Sequence, residues 1–471
     1  MKIKKFLAFS VAMTSALAAF GCGSSASGSS SEATTTVKKV EVQDTQEIPD
    51  IPDGAQKEII WMGTYDLNPK KGADKTVEMT LFNNKGGTVK FSQVSDSEKF
   101  DKLAAALMSQ KDVPDIFKYE WMAFPAQVLK DMYQPVDDIV DFSEPLWADV
   151  KQNADLFVMG GKHYVAPISF TVGTLMMYDQ DLVDSEGLND PYEEYKNGNW
   201  NWDVWYEMMS EFVDNAPADT ERYGINGWYQ TQLIQQTGKT MVNYDGEKFT
   251  SNLNDPDIER AENLLYDIGK NKYVITDWLG NARKALSDGN VLFYCMGTWA
   301  MTGNNGPTES DTWRVVPVPS DPNNDNKYMT ADMLAYMWVK GSTANEAVKT
   351  WFECSRMANT DQEYLDNGKE KFLNANPTWT EDMYQVFMDC SSSEYQMVFD
   401  YGYGISSLLS DDNANEDGAC VTRKLYENTN KTDDSGKQYT WSEVRDSYTS
   451  TVDAELKTIN DSVAKFNKEN G

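Results

Sequence analysis

The chain has 471 residues, a formal net charge of −32, one histidine and an aromatic fraction of 12%. Such a charge makes nucleic acid or an anionic membrane surface a poor partner. With one histidine there is no His-rich zinc site, and any Ser/Cys–His hydrolase would depend on that single residue, His163.

The elements begin with a processing signal. Lys2, Lys4 and Lys5 precede the apolar run FLAFSVAMTSALAAF, Phe6 to Phe20. It is too short to span a bilayer, which takes about 20 residues, and it suits the core of a secretion signal. The following Ala19-Phe20-Gly21-Cys22 resembles a bacterial lipobox, although Leu is usual where Ala19 stands and a small residue where Phe20 stands. The resemblance implies a signal peptide over 1–21 and lipidation of Cys22. The tract GSSASGSSSEATTT cannot offset the entropy of ordering it, so residues 22–55 read as a flexible tether. Roughly 415 residues remain, more than one comfortable core, which predicts two domains.

KEIIWMG (Lys57–Gly63) and TVKFSQV (Thr88–Val94) read as strands. Ser95-x-x-Glu98 has the form of a capping box, opening a helix with Phe100, Leu103, Leu107 and Met108 on one face. PDIFKYE (Pro114–Glu120) is a strand, and Pro125–Met132 is helical. This alternation predicts a βαβ lobe with a parallel sheet. Val165–Phe170 and Leu175–Tyr178 are extended; Trp202, Trp205 and Met209 mark a helix. Further helices are expected at Leu253–Ile268 and Ala282–Leu286, and strands at Val291–Met296 and Val315–Val318. Thr343-x-x-Glu346 resembles a second capping box, before a helix with Ala347, Val348, Trp351 and Phe352 on one face. Tyr401–Asp417 is a polar connection, and a last helix runs from Trp441 to about Phe466.

His163, beside an extended segment, ranks as structural. The four cysteines after Cys22 lack CxxC spacing, so metal binding is not indicated. Cys295 and Cys354 read as buried free thiols, while a Cys390–Cys420 bridge stays open. Two motifs fail on inspection. Gly238-Lys239-Thr240 ends like a phosphate loop, but Leu233 stands where its first glycine belongs. Asp411-x-Asn413-x-Asn415 begins like a calcium loop, but Glu416 and Thr422 replace the required Gly and Glu.

From Lys57 to Asn467 the chain resembles the extracellular solute-binding proteins of bacterial ABC importers, the class that includes maltose-binding protein. The matching segments occur in the family's order: KLAAALMSQKDVPDIF, GKHYVAPISFTVGTLMMYDQDLV (Asp179 replaces the usual Asn), NWNWDVWYEM, DGNVLFYCMGTWA, VVPVPSDPNNDNKYM and KGSTANEAVKTWFE. The resemblance implies an α/β fold of two lobes with parallel-rich sheets flanked by helices and a ligand cleft between them. Lobe 1 is expected over 56–166 and 320–375, lobe 2 over 171–315 and 376–468, with crossings near 167–171, 316–320 and 373–377. It also implies a monomer anchored on the outer face of the cell membrane that hands its ligand to membrane permeases, with no cofactor and no catalysis.

A sugar site wants flat aromatic faces with polar groups at the edges, carried on loops at the carboxyl ends of strands. Trp299 and Trp121 are the leading candidates. Trp228, Tyr229, Tyr119, Glu120, Tyr65, Asp66, Tyr401 and Tyr403 complete the expected set. Two other readings stay open at this point. One keeps the fold but binds a polyamine or another cation, boxed by aromatic walls with Glu120 or Asp66. The other is an extracellular carbohydrate-active hydrolase built on a carboxylate pair.

Overall fold

A computed structural model describes residues 40–275, 277–411, 420–433 and 435–470. Cys22, the signal peptide and most of the expected tether lie outside these residues.

In chain order the strands are β1 (Glu58–Gly63), β2 (Thr88–Gln93), β3 (Ile116–Lys118), the hairpin β4 (Val158–Met159) and β5 (Lys162–His163), and β6 (Ala166–Val172). Then come β7 (Leu175–Asp179), β8 (Tyr223–Gly227), the hairpin β9 (Val242–Tyr244) and β10 (Phe249–Ser251), β11 (Val291–Met296) and β12 (Trp313–Val316). Last are β13 (Lys327–Met329), β14 (Ala331–Trp338) and β15 (Tyr395–Met397). Two sheets organise the molecule, in the orders β2-β1-β3-β14-β6 and β12-β7-β11-β8. The fold is the two-lobe α/β arrangement, one lobe around each sheet.

In the first sheet β1 pairs in parallel with β2 and β3, while β14 is antiparallel to both β3 and β6. Hence β6 runs with β3 and leaves the sheet at its carboxyl edge. In the second, β8 and β11 are parallel and β7 is antiparallel to β11. Hence β7 starts at the carboxyl edge of β8 and β11. Residues 173–174 therefore join the carboxyl edges of the two sheets, and the loops after β1, β3, β8 and β11 gather around one crossing.

The crossings fall later, or take other forms, than the resemblance implies. Residues 167–171 lie inside β6. Residues 317–320 stay with lobe 2, because the Trp200 indole N–H donates to Pro317 O (2.8 Å) and Trp202 N donates to Ser320 O (3.0 Å). The buried Asp321 carboxylate is held by Arg260 from the same lobe. The third connection is made within a helix. Helix Gln362–Ala375 places Tyr364 in the core of lobe 1 and Phe372 in that of lobe 2.

Local signals account for most helix starts. Asn201 accepts from Asp203 N and Val204 N ahead of helix Trp202–Asp214, and Asp255 with Pro256 opens helix Pro256–Lys270. Both expected capping boxes fail. The Ser95 hydroxyl donates to Glu98 Oε2 (3.1 Å) in a turn that precedes helix Lys99–Ser109. Thr343 turns toward Gln56, and helix Asn345–Ala358 starts without a side-chain cap. Met108 is 88% exposed. It lies about 100° round the helix from Leu107 and so off the buried stripe.

Residues 40–55, expected in the tether, lie against lobe 1. Ile48 and Ile51 are buried, Asp44 pairs with Lys85 at 2.6 Å, and the Tyr364 hydroxyl donates to Gln43 O (2.7 Å). Cys295, Cys354, Cys390 and Cys420 are all free and buried, so Cys390 and Cys420 form no bridge. Burial pushes the Cys354 and Cys390 thiols up to about 12. His163 sits between Asp137 (Nδ1, 2.7 Å) and Asp155 (Nε2, 2.9 Å). Lys239, the lysine of the failed phosphate loop, pairs with Asp255 (2.8 Å) and Asp257 (2.7 Å). The calcium-like run from Asp411 extends into residues outside those described. No helix among the described residues is long and apolar enough to cross a membrane.

Candidate ligand cleft

At the carboxyl edge of the lobe 2 sheet three tryptophans come together. Trp228 follows β8, Trp299 follows β11 in a 3-10 turn, and Trp278 follows the strand-like segment at Val274 that bridges to Ile225. The Trp228 and Trp278 rings stack with centroids 5.9 Å apart and 29° between planes. Trp299 meets Trp228 at 6.1 Å and 61°. Trp228 is 51% and Trp278 56% exposed, which is unusual for residues of this size.

The backbone explains this placement. Gly227 has φ 104°, and a Cβ there would collide with Cys295 O on β11. Only glycine lets β8 end this close to β11 and turn Trp228 outward. Trp228 N then donates to Cys295 O (2.8 Å). The Asn226 side chain, almost wholly buried, donates to Ile275 O (2.9 Å) and Asp277 O (3.0 Å), fixing the loop that carries Trp278. The Trp299 indole lies over Gly297, where a Cβ would come within 2.7 Å of Nε1. Asn305 Nδ2 donates to Trp299 O (3.0 Å) and fixes the turn.

The other expected residues occupy different situations. Tyr229 is buried and donates its hydroxyl to Asn430 Oδ1 (2.6 Å); it follows Trp228 but points into the core. Tyr119 is buried against Phe157 (5.2 Å) and Phe399 (6.1 Å). Tyr401 is buried and donates to Leu156 O (2.9 Å). These three are corrected from ligand contacts to packing, because their rings have no open face. Trp121 is half-buried, stacked on Phe399 at 5.8 Å and 7°, with Tyr403 at 5.7 Å. These rings belong to an aromatic cluster that joins lobe 1 to the segment 398–404. The Tyr244 hydroxyl adds a bond across the lobes to Val158 O (2.9 Å).

On the lobe 1 side, Tyr65 is half-buried and tilted against Trp61 at 5.8 Å. Asp66 is exposed and accepts from Asn68 N (2.9 Å) and Asn68 Nδ2 (2.9 Å). Glu120 pairs with Lys99 at 3.2 Å. Neither carboxylate stands uncommitted. Lys118 at the end of β3 is half-buried. Burial pushes its ammonium below the ordinary lysine range, and Lys99 acts in the same direction.

Two residues at these edges escape a reading of the sequence. Trp278 sits in TDWLG, which has no strand or helix pattern; only its pairing beside β8 reveals it. Lys118 reads as an interior residue of the expected strand Pro114–Glu120, and the burial that lowers its pKa comes from packing the sequence does not show.

The model of the bacterial extracellular solute-binding protein family matches residues 68–354. No curated protein sequence matches the chain. Among solved structures, the chain is similar to the cyclic alpha-maltosyl-1,6-maltose binding protein from Arthrobacter globiformis, at 15% identity and a TM-score of 0.59, covering 85% of this chain and 99% of that one. It is similar to the galacto-N-biose-/lacto-N-biose I-binding protein of the ABC transporter from Bifidobacterium longum, at 13% identity and a TM-score of 0.56, covering 86% and 98%. The sugar-binding protein MalE from Xanthomonas citri compares at 13% identity and a TM-score of 0.56, covering 87% and 98%. At these identities the likeness establishes the fold, while the family model spans more than half of the sequence. The chain belongs to the bacterial extracellular solute-binding protein family.

Proposed function

We propose that this chain is a lipid-anchored extracellular receptor, joined to the outer face of the cell membrane through Cys22. It captures an oligosaccharide between its lobes and delivers it unchanged to the permeases of an ABC-type importer, acting as a monomer. The observation that carries this reading is the pair of exposed rings Trp228 and Trp278, with the half-buried Trp299 against Trp228, at the carboxyl edge of the lobe 2 sheet. Large aromatic faces left in water gain by covering the apolar faces of pyranose rings. Several rings in sequence suit a chain of sugar units better than one unit. The structural relatives described as binding cyclic maltosyl-maltose and lacto-N-biose support the same ligand class. The neighbouring crossing supplies a hinge, and ligand contacts made only in the closed form would shift the lobes toward closure.

The cation-binding reading is weaker. Glu120 and Asp66 are both engaged, and the half-buried charge at the lobe 1 edge is Lys118, of the wrong sign. The hydrolase reading has no specific geometric support.

Thermal unfolding of the mature chain carrying Cys22→Ser, against a panel of mono- and oligosaccharides, polyamines and amino acids, tests the proposal. A ligand at 100 times its Kd adds about 2.7 kcal/mol of stability. A shift with carbohydrates, and the sugar recovered intact by chromatography, is expected. A shift with polyamines alone, or recovery of cleaved sugar, overturns it.

A further inference from the structure

The turn that carries Trp299 is gripped from two sides. Helix Ala282–Leu286 holds it from within lobe 2, where the Arg283 guanidinium donates to Gly306 O (2.8 Å). The second grip comes from the end of the interlobe helix Gln362–Ala375. Asn376, its C-cap residue, is 4% exposed, and its Oδ1 accepts from Gly303 N (2.9 Å). Its Nδ2 donates back to Phe372 O (2.9 Å), so the side-chain amide is locked between helix and turn. Three residues on, the indole N–H of the buried Trp379 donates to Met301 O (2.9 Å). The Trp379 ring also packs edge-on against Phe372 at 5.1 Å.

The supports of Trp228 and Trp278 are of another kind. Cys295 O and the Asn226 side chain, which hold them, both belong to strands of the lobe 2 sheet. The interlobe helix, by contrast, reaches both lobes. Tyr364 sits in the lobe 1 core, with its hydroxyl donating to Gln43 O (2.7 Å), and Phe372 sits in the lobe 2 core. Gly173 of the first crossing approaches the same turn, because a Cβ at Gly297 would lie 3.3 Å from Gly173 O. Gly173 N in its turn donates to Thr330 O (2.6 Å), just ahead of β14. Trp299 is thus the ring whose turn bears on the connections between the lobes.

We propose that Asn376 is a positioning residue: with Trp379 it fixes the Trp299 turn to the interlobe helix, so that a sugar seated on Trp299 sets how the lobes stand. This rests on the receptor reading above and adds where its closure signal originates. A ligand shifts an open–closed equilibrium only through contacts that differ between the two states. Stacking on Trp228 and Trp278 engages rings fixed to lobe 2 alone and adds affinity in either state. Stacking on Trp299 loads a turn tied to the helix that both lobes hold, and it is the contact that differs.

Fluorine NMR of the mature Cys22→Ser chain, labelled with fluorotryptophan and free of ligand, tests the positioning. Trp299→Phe and Trp278→Phe assign the two resonances. In Asn376→Ala the Trp299 line should move and broaden while the Trp278 line stays. Trp379→Phe, which keeps an aromatic ring and loses the N–H, should do the same to a smaller extent. A Trp299 line unmoved in both variants overturns the positioning role. Hydrogen exchange with the sugars of the panel above, maltotetraose and lacto-N-biose among them, tests the coupling. In the parent chain and in Trp228→Ala, saturating sugar should slow exchange of the amides of residues 364–368, at the lobe 1 end of the helix, by about threefold or more. Asn376→Ala and Trp299→Ala, equally saturated, should lose that slowing. Slowing retained in Asn376→Ala overturns the coupling and leaves the receptor reading standing. A Trp299 line that moves, with no sugar of the panel bound by the parent chain, overturns the receptor reading and leaves the positioning of Trp299 standing.

Discussion

Replacing Trp228 by alanine should weaken ligand binding while leaving folding nearly untouched. A tryptophan side chain offers roughly 150–250 Å² of surface. With Trp228 51% exposed, roughly 100 Å² of it is open. A pyranose covers one ring face, so roughly 50 Å² leaves water on binding. At about 25 cal/mol per Å² this gives about 1.3 kcal/mol, close to tenfold in Kd. The covered half of the residue meets Trp278 and Trp299 at the surface rather than the deep core, so stability should change by no more than about 1 kcal/mol. Trp121→Ala is the contrasting variant. That ring is stacked on Phe399 and touches Tyr403, so its loss should cost about 2–3 kcal/mol of stability. Titration calorimetry with the carbohydrate found in the panel, beside thermal unfolding of both variants, separates the two effects. If Trp228→Ala binds as tightly as the parent chain, or if Trp121→Ala loses affinity at unchanged stability, the assignment of the platform to lobe 2 is wrong.

Other outcomes follow from the titratable groups. Paired carboxylates raise the His163 pKa above its ordinary value, despite burial, which lowers it. The stabilisation is therefore complete below about pH 6.5 and lost as pH rises through the folded-state value. His163→Gln should flatten that loss in melting temperatures recorded from pH 5 to 9. Glu262 is fully buried, its pKa raised to about 8 by desolvation, and it accepts a 2.6 Å bond from the Thr429 hydroxyl. The folded state keeps this proton after the unfolded chain has released it, so stability falls from about pH 4.3 until pH passes the folded value. Glu262→Gln should be near neutral at low pH and raise the melting temperature at pH 8; equal shifts at both pH values would contradict the assignment. The four described cysteines should resist a thiol reagent in the native Cys22→Ser chain and all react in denaturant. Fast native labelling of Cys390 or Cys420 would refute their burial.

Much of the order of strands and helices was legible in the sequence because it follows from local periodicity, but β8 and β14, each within a main sheet, and the helices Gln362–Ala375 and Glu381–Cys390 went unmarked. Ala347, Val348, Trp351 and Phe352 are all buried on one helix face, as their spacing implies. Long-range pairing was not legible. β6 runs on to Val172 because β14, far along the chain, pairs with it to Ala331. The aromatic residues divide for the same reason. Nothing near Tyr119 or Trp121 announces Phe399, Tyr401 and Tyr403, yet that contact decides that these rings face one another. Conversely, Trp299 follows a strand end that the sequence does mark, at Met296, and the sheet brings Trp228 beside it. The capping boxes at Ser95 and Thr343 misled because a four-residue pattern carries no information about the turn geometry around it.

The belt of residues 40–55 settles a mechanical question. A pull applied anywhere upstream of residue 40 enters the body through the Asp44–Lys85 pair and the seats of Ile48 and Ile51, all on lobe 1. On the receptor reading proposed above, lobe 1 would then be the jaw nearer the mooring, and the jaw bearing Trp228, Trp278 and Trp299 the one left to swing.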